Sequence, residues 1–152
     1  MIIRAWRLLK AKYEKDAFSG EGAFKYGGRW NSIGTRVVYT AESIALATLE
    51  ILAGGAAISL LDDFVKIPVE FDDASVSHLT SMPEGWNKYP PGRKTREIGD
   101  AWAREFKNLA LKVPSAIVKE EFIYIINPLH PDALKHLRIG KTEKFFLDKR
   151  LL

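Results

Sequence analysis

The chain of 152 residues contains no cysteine. That excludes a disulfide framework, a thiolate metal site and a cysteine nucleophile, and it suits a reducing compartment. No apolar run approaches the roughly 18 residues that span a bilayer. The opening Met1-Ile2-Ile3-Arg4-Ala5-Trp6-Arg7 has neither the apolar stretch nor the small-residue cleavage site of a signal peptide, so a soluble cytoplasmic protein is expected. Histidine is scarce. His78, His130 and His136 are scattered, and without cysteine they form no metal-ligand spacing, so no metal is expected. Also missing are a Gly-x-Ser-x-Gly nucleophile elbow, a Walker A loop and a complete dinucleotide fingerprint. Charge of one sign is barely in excess. The net charge of +4 is spread along the chain, a poor footing for direct nucleic-acid binding.

What is present is an ordinary globular balance, 47% hydrophobic and 28% charged, in a length that fits one domain over residues 1–152. The pattern predicts strands at Ile2–Leu9 and Val37–Tyr39, then a buried helix from Ala41 to Ala53 capped by Thr40 and ended by Gly54-Gly55. Phe64–Phe71 alternates as a half-buried strand, with Pro68 pointing to a sheet edge or a bulge. A helix capped by Thr95 and running to about Leu109 carries the stripe Ile98, Trp102, Phe106 and Leu109. Strands follow at Leu111–Val118 and Phe122–Ile126, then a short helix capped by Asp132 and stopping at Gly140, and a last strand at Glu143–Leu147. Ala17–Gly34, rich in glycine, and Met82–Arg93, rich in proline, read as loops. The expectation is a single α+β domain with mixed or antiparallel sheets and a few packed helices.

Glu50 is the first anomaly. It lies in a helix that is apolar on nearly every side and shares a stripe with Ser43 and Ala47. A carboxylate there either loses its charge or meets a cation, and because buried ion pairs add little net stability a functional role is favoured. The candidate cation lies in Gly27-Gly28-Arg29-Trp30-Asn31-Ser32, where a glycine backbone free to approach a ligand precedes a planar, permanently charged fork suited to phosphate. Read locally, the same segment is equally a tight turn with Arg29 on the surface. Tyr39 either stacks on or bonds a ligand in that cleft or serves as a core aromatic. Ser115, after Pro114, reads locally as a strand residue bonded to backbone.

Taken in order, several blocks resemble the RES domain family. They are Phe18-Ser19-Gly20-Glu21-Gly22-Ala23, Gly27-Gly28-Arg29-Trp30-Asn31-Ser32-x-Gly34, Val38-Tyr39-Thr40-Ala41-Glu42-Ser43 and Ala47-x-x-Glu50. Gly99-Asp100-x-Trp102, Val113-Pro114-Ser115-Ala116 and Ile126-Asn127-Pro128-x-His130-Pro131 follow. One departure is Ile123, where the family usually carries an asparagine. The resemblance implies the toxin half of a bacterial type II toxin–antitoxin pair, with an ADP-ribosyltransferase-like fold around an NAD cleft. It implies NAD+ as a consumed substrate rather than a retained cofactor. The implied partner is an Xre-type antitoxin that occludes the site within a hetero-oligomeric complex.

Carried over position by position, the resemblance places Arg29, Tyr39, Glu50 and Ser115 in catalysis, and Gly28, Arg29, Tyr39 and Ser115 against NAD+. Arg29 is expected to hold the pyrophosphate and balance Glu50, Tyr39 to orient the nicotinamide, and Ser115 to bond the dinucleotide. Breaking the nicotinamide–ribose bond builds positive charge on the sugar, as in glycoside hydrolysis, and a carboxylate at Glu50 would stabilise it. The expected activity is NAD+ glycohydrolysis or phosphorolysis that depletes NAD and arrests growth. ADP-ribosyl transfer to a host protein is the alternative, and a non-catalytic nucleic-acid-binding module a distant one.

Overall fold

Phe122–Ile126 is apolar on both faces, and the structure buries both. In this computed structural model, which describes residues 1–151, Ile123 and Ile125 enter one buried cluster with Leu8, Trp30, Leu46 and Trp102. Tyr124 and Ile126 enter a second with Ala5, Val38, Val69 and Phe71. A strand covered on both sides must be internal. The strands are β1 (Ile2–Lys10), β2 (Val38–Ala41), β3 (Phe64–Asp72), β4 (Val76–His78), β5 (Ala110–Pro114), β6 (Phe122–Ile126), β7 (Arg138–Ile139) and β8 (Glu143–Lys144). They form one sheet in the order β4-β5-β6-β2-β1-β3-β7, with β8 also on β3. Among the described residues only β4 and β5 run parallel. The expected α+β class with a mixed sheet is what the chain adopts.

Pairing across the sheet is uneven. β1 and β3 pair along their whole length, from Ile2↔Asp72 to Lys10↔Phe64, with no bulge. β1 meets β2 only at Trp6↔Ala41. The sheet is therefore forked between these strands, and a cleft opens in the fork. Pro68 sits neither at an outer strand nor at a bulge. It falls between the two short stretches where β7 and β8 cover β3, so no ladder bond is asked of its missing N–H.

The helices are α1 (Glu21–Tyr26), α2 (Ile44–Ala53), α3 (Arg93–Glu105) and α4 (Ala133–His136). Several boundaries differ from the sequence expectation, for physical reasons. α1 lies inside the segment read as a loop, started at Gly20 in the left-handed region, φ 77°. Ser43 and not Thr40 caps α2, its Oγ accepting from the Leu46 amide at 3.0 Å, because β2 holds Thr40 and Ala41 in register with β6. Thr40 Oγ1 instead donates to the Tyr124 carbonyl at 2.7 Å. Nor is α2 buried all round: Leu46 and Ala47 face the core, while Leu49 is 44% exposed. α3 starts two residues before Thr95, which is buried within its first turn, and it stops where Phe106 turns left-handed, leaving Leu109 in the core ahead of β5. β5 ends at Pro114, so Ser115 belongs to a turn, and the segments expected as a helix to Gly140 and a strand to Leu147 reduce to α4, β7 and β8.

Candidate active site

The fork holds a cleft of about 460 Å³. Trp6 and Arg7 line it from β1, Gly28 and Arg29 from the turn after α1, Tyr39 from β2, and Glu50 from α2. A larger concavity of about 560 Å³, near Lys10, Phe64 and Lys144, contains none of the candidate side chains, so volume alone does not select the site. Chemistry does. The expected Arg29, Tyr39 and Glu50 meet in the smaller cleft although they come from three different elements, and Ser115 stands directly behind Glu50.

Arg29 occupies the corner of a tight turn closed by the Gly28 amide donating to the Asn31 carbonyl at 3.0 Å. Its Nη1 donates to the carbonyls of Trp86 and Lys88 at 3.0 and 2.7 Å. Nε and Nη2 have no protein acceptor among the described residues. Burial holds the guanidinium below its ordinary pKa, opposed by attraction to Glu50 and to Tyr39. The direct ion pair expected between Arg29 and Glu50 is absent among the described residues. The two share one cleft and feel each other at longer range.

Ser115 is the direct partner of Glu50. Its Oγ donates to Glu50 Oε1 at 2.7 Å and accepts from the amides of Ile117 and Val118 at 3.0 and 3.1 Å. Ser115 has 0% exposure and its hydroxyl hydrogen is donated to Glu50, an arrangement that orients the carboxylate. Ile123, where the family resemblance breaks, is 8% exposed and lines the cleft with an apolar surface.

Tyr39 is likewise fully bonded at its oxygen. Oη donates to Asn31 Oδ1 at 2.7 Å and accepts from the Trp30 amide at 3.0 Å. Burial pushes its phenol well above the ordinary tyrosine range, with the hydrogen bond from Trp30 acting the other way. The hydroxyl is thus committed to shaping the Arg29 turn, and the ring is the part that remains to face a ligand. Gly28 makes this possible: a Cβ there would lie 2.7 Å from Tyr39 Oη and 3.0 Å from Asn31 Oδ1.

Two residues escaped the sequence reading. Asn31 is completely buried, and its Nδ2 reaches the carbonyls of Ala23, Thr35 and Ser32 at 2.9, 3.0 and 3.2 Å, so it knits the turn to Tyr39. Its position inside the Gly27–Ser32 block was the available signal. Arg7 lines the cleft wall with Nε on the Ala17 carbonyl at 3.0 Å and no carboxylate partner among the described residues. Burial pulls its pKa down to about 10. A lone arginine in an otherwise apolar run, Trp6-Arg7-Leu8-Leu9, is the pattern that could have marked it. Among the described residues the cleft thus carries two guanidinium groups against one carboxylate, an excess of positive charge suited to a dianion.

Residues 4–148 match the RES domain. A curated protein named Toxin Res, from Photorhabdus laumondii subsp. laumondii, is 38% identical over 149 residues, covering 97% of this chain and 96% of its own length. One named Prs ADP-ribosylating toxin, from Sphingobium sp. (strain YBL2), is 38% identical over 159 residues, covering 100% and 98%. A chain in the crystal structure of the M. tuberculosis MbcT–MbcA toxin–antitoxin complex has the same fold, with a TM-score of 0.75 at 20% identity over 95% of this chain and 85% of that one. That likeness carries the single-domain α+β architecture the resemblance implies. With a match across nearly its whole length and full-length relatives that are named as toxins, the chain belongs to the RES domain family.

Proposed function

We propose that this chain is the toxin of a toxin–antitoxin pair and that it consumes NAD+ by breaking the nicotinamide–ribose bond. One observation carries the reading: a carboxylate, Glu50, is fixed by Ser115 inside a cleft whose two arginines have no carboxylate partner among the described residues. Arg29 and Arg7 suit the pyrophosphate. The Tyr39 ring gives the nicotinamide a flat wall, and the apolar surface of Ile123 supports it. As the bond from C1′ to the ring nitrogen breaks, its electron pair leaves with nicotinamide and positive charge spreads over the ribose. The Glu50 carboxylate, in a partly dry site, stabilises that charge. Water or phosphate then bonds to C1′ and gives up a proton, yielding ADP-ribose or its 1-phosphate. Ser115 acts through Glu50.

A second reading has a specific support, since the Sphingobium relative is named Prs ADP-ribosylating toxin. The same residues then deliver ADP-ribose to a protein side chain. Product analysis of purified protein with NAD+, with and without phosphate and with a cell lysate, separates the two. Free nicotinamide together with ADP-ribose or its 1-phosphate supports degradation, and a discrete labelled protein supports transfer. Intact NAD+ in every arm, equal to a Glu50→Gln control, overturns the proposal. An Xre-type antitoxin seated over the cleft, in a cytoplasmic hetero-oligomer, is the partner this reading carries.

A further inference from the structure

We propose that Asp100, helped by Gly99, is a positioning residue for Arg29: from inside α3 the pair grips the backbone of the turn that presents the guanidinium to the cleft. Neither residue lines the cleft. Asp100 Oδ1 accepts from the Ser32 amide at 2.9 Å, although Asp100 is 68 residues away in sequence and only 9% exposed. Gly99 lets α3 touch the turn itself, because a Cβ at that position would stand 1.6 Å from the Trp30 carbonyl oxygen and 2.7 Å from its carbon. Trp30 is 2% exposed, and its amide donates to Tyr39 Oη at 3.0 Å.

The same stretch of chain holds the other end of Arg29. The carbonyls that fix Nη1 belong to Trp86 and Lys88, just ahead of α3. Residues 86–100 therefore hold both the turn that follows Arg29 and its guanidinium, leaving Nε and Nη2 as the donors without a protein acceptor among the described residues. An arginine with several rotatable bonds loses substantial side-chain entropy when it closes on a ligand, and prior fixing removes part of that cost. Asp100 is buried, yet it is held below its ordinary pKa. Burial pushes the other way, and the hydrogen bonds from Ser32 and Thr35 overcome it, as expected for a carboxylate that accepts several donors.

The proposal rests on the NAD+ reading only for what Arg29 binds, so the test has two arms. In the first, amide exchange is followed over residues 27–34 in wild type, Asp100→Ala and Asp100→Asn. Exchange rises clearly in Asp100→Ala and much less in Asp100→Asn, whose Oδ1 still accepts from Ser32, while β5 and β6 stay unchanged. Unaltered exchange at residues 27–34 overturns the proposal, whether or not the protein uses NAD+. In the second arm, ADP-ribose affinity is measured by calorimetry in the same proteins and in an Arg29→Ala background. Asp100→Ala weakens binding about tenfold, in line with loss of one charge-assisted hydrogen bond, and has under about a twofold effect once Arg29 is gone. An equal effect in both backgrounds means Asp100 is merely structural and overturns the proposal. Wild type that binds no ADP-ribose argues against the NAD+ reading, and amide exchange then decides the positioning role alone. Should Asp100→Ala fail to fold, Asp100→Asn in both Arg29 backgrounds carries the same comparison.

Discussion

Replacing Ser115 with alanine removes three hydrogen bonds at once, and their surroundings set the size of the effect. The bond to Glu50 Oε1 involves a charged acceptor, a class worth about 1.5–3 kcal/mol. Glu50 is only half-buried, so water restores part of what its carboxylate loses, and the low end of that range applies. The amides of Ile117 and Val118 lose their acceptor as well, but Ile117 is 42% exposed and solvent can reach that turn. Together these give a loss of about 2–3 kcal/mol in urea unfolding, or a fall of roughly 5–10 °C in Tm for a domain of this size. Against Glu50→Ala in a double-mutant cycle the coupling should be about 1 kcal/mol. Kinetically, kcat for NAD+ should fall tenfold or more on the order of one misplaced catalytic group, with KM little changed. Additive stability changes would refute the link between Ser115 and Glu50. A raised KM with kcat intact would show instead that Ser115 touches the substrate.

Gly28→Ala should cost about 1–3 kcal/mol by thermal unfolding and weaken ADP-ribose binding, because the new Cβ would meet Tyr39 Oη, which Asn31 and Trp30 hold in place. Wild-type affinity in a normally stable Gly28→Ala protein would contradict that crowding. Arg29→Lys keeps the charge but gives up the planar fork, so KM for NAD+ should rise about tenfold or more, and calorimetry with ADP-ribose should follow it. Tyr39 supplies a pH dependence. Its phenol is raised in the folded state, so the stability it contributes is present below the ordinary tyrosine pKa of about 10 and is lost as pH climbs above it. Urea unfolding from about pH 8 to 11 should therefore show an alkaline decline that Tyr39→Phe lessens, while Tyr39→Phe lowers stability at neutral pH by about 1–2 kcal/mol through the orphaned Asn31 and Trp30 groups.

Period and composition revealed β1, β3 and β6 because their apolar patterns are long and local, and the same patterns located α2 and α3 to within a few residues. The α+β class followed from these elements. The cap of α2 was misplaced because its choice depends on how far β2 stays paired with β6, a contact 82 residues away between Ala41 and Ile123 that no local pattern records. For the site, the blocks of the RES resemblance led to Arg29, Tyr39, Glu50 and Ser115, and the fold gathers them. What they do to one another was not legible. That Ser115 serves Glu50, that Tyr39 gives its hydroxyl to Asn31, and that Asp100 holds Ser32 are all hydrogen bonds between distant positions. Arg7 was passed over because one arginine in an apolar strand resembles any edge-strand charge until the neighbouring strand is known.

The single pairing of β1 with β2 at Trp6↔Ala41 has a mechanical meaning. Two blocks of sheet, β4-β5-β6-β2 on one side and β1-β3 with its short flanking strands on the other, share what amounts to a rivet rather than a seam. Across the gap, the Arg7 Nη1 approaches the Tyr39 carbonyl at 3.5 Å, a side chain standing in for a missing rung. An anion that engaged Arg7 would compete with the Tyr39 carbonyl for that cross-tie, which would link occupancy of the cleft to the joint between the two blocks. The line of the sheet held by a single rung and the candidate cleft therefore coincide.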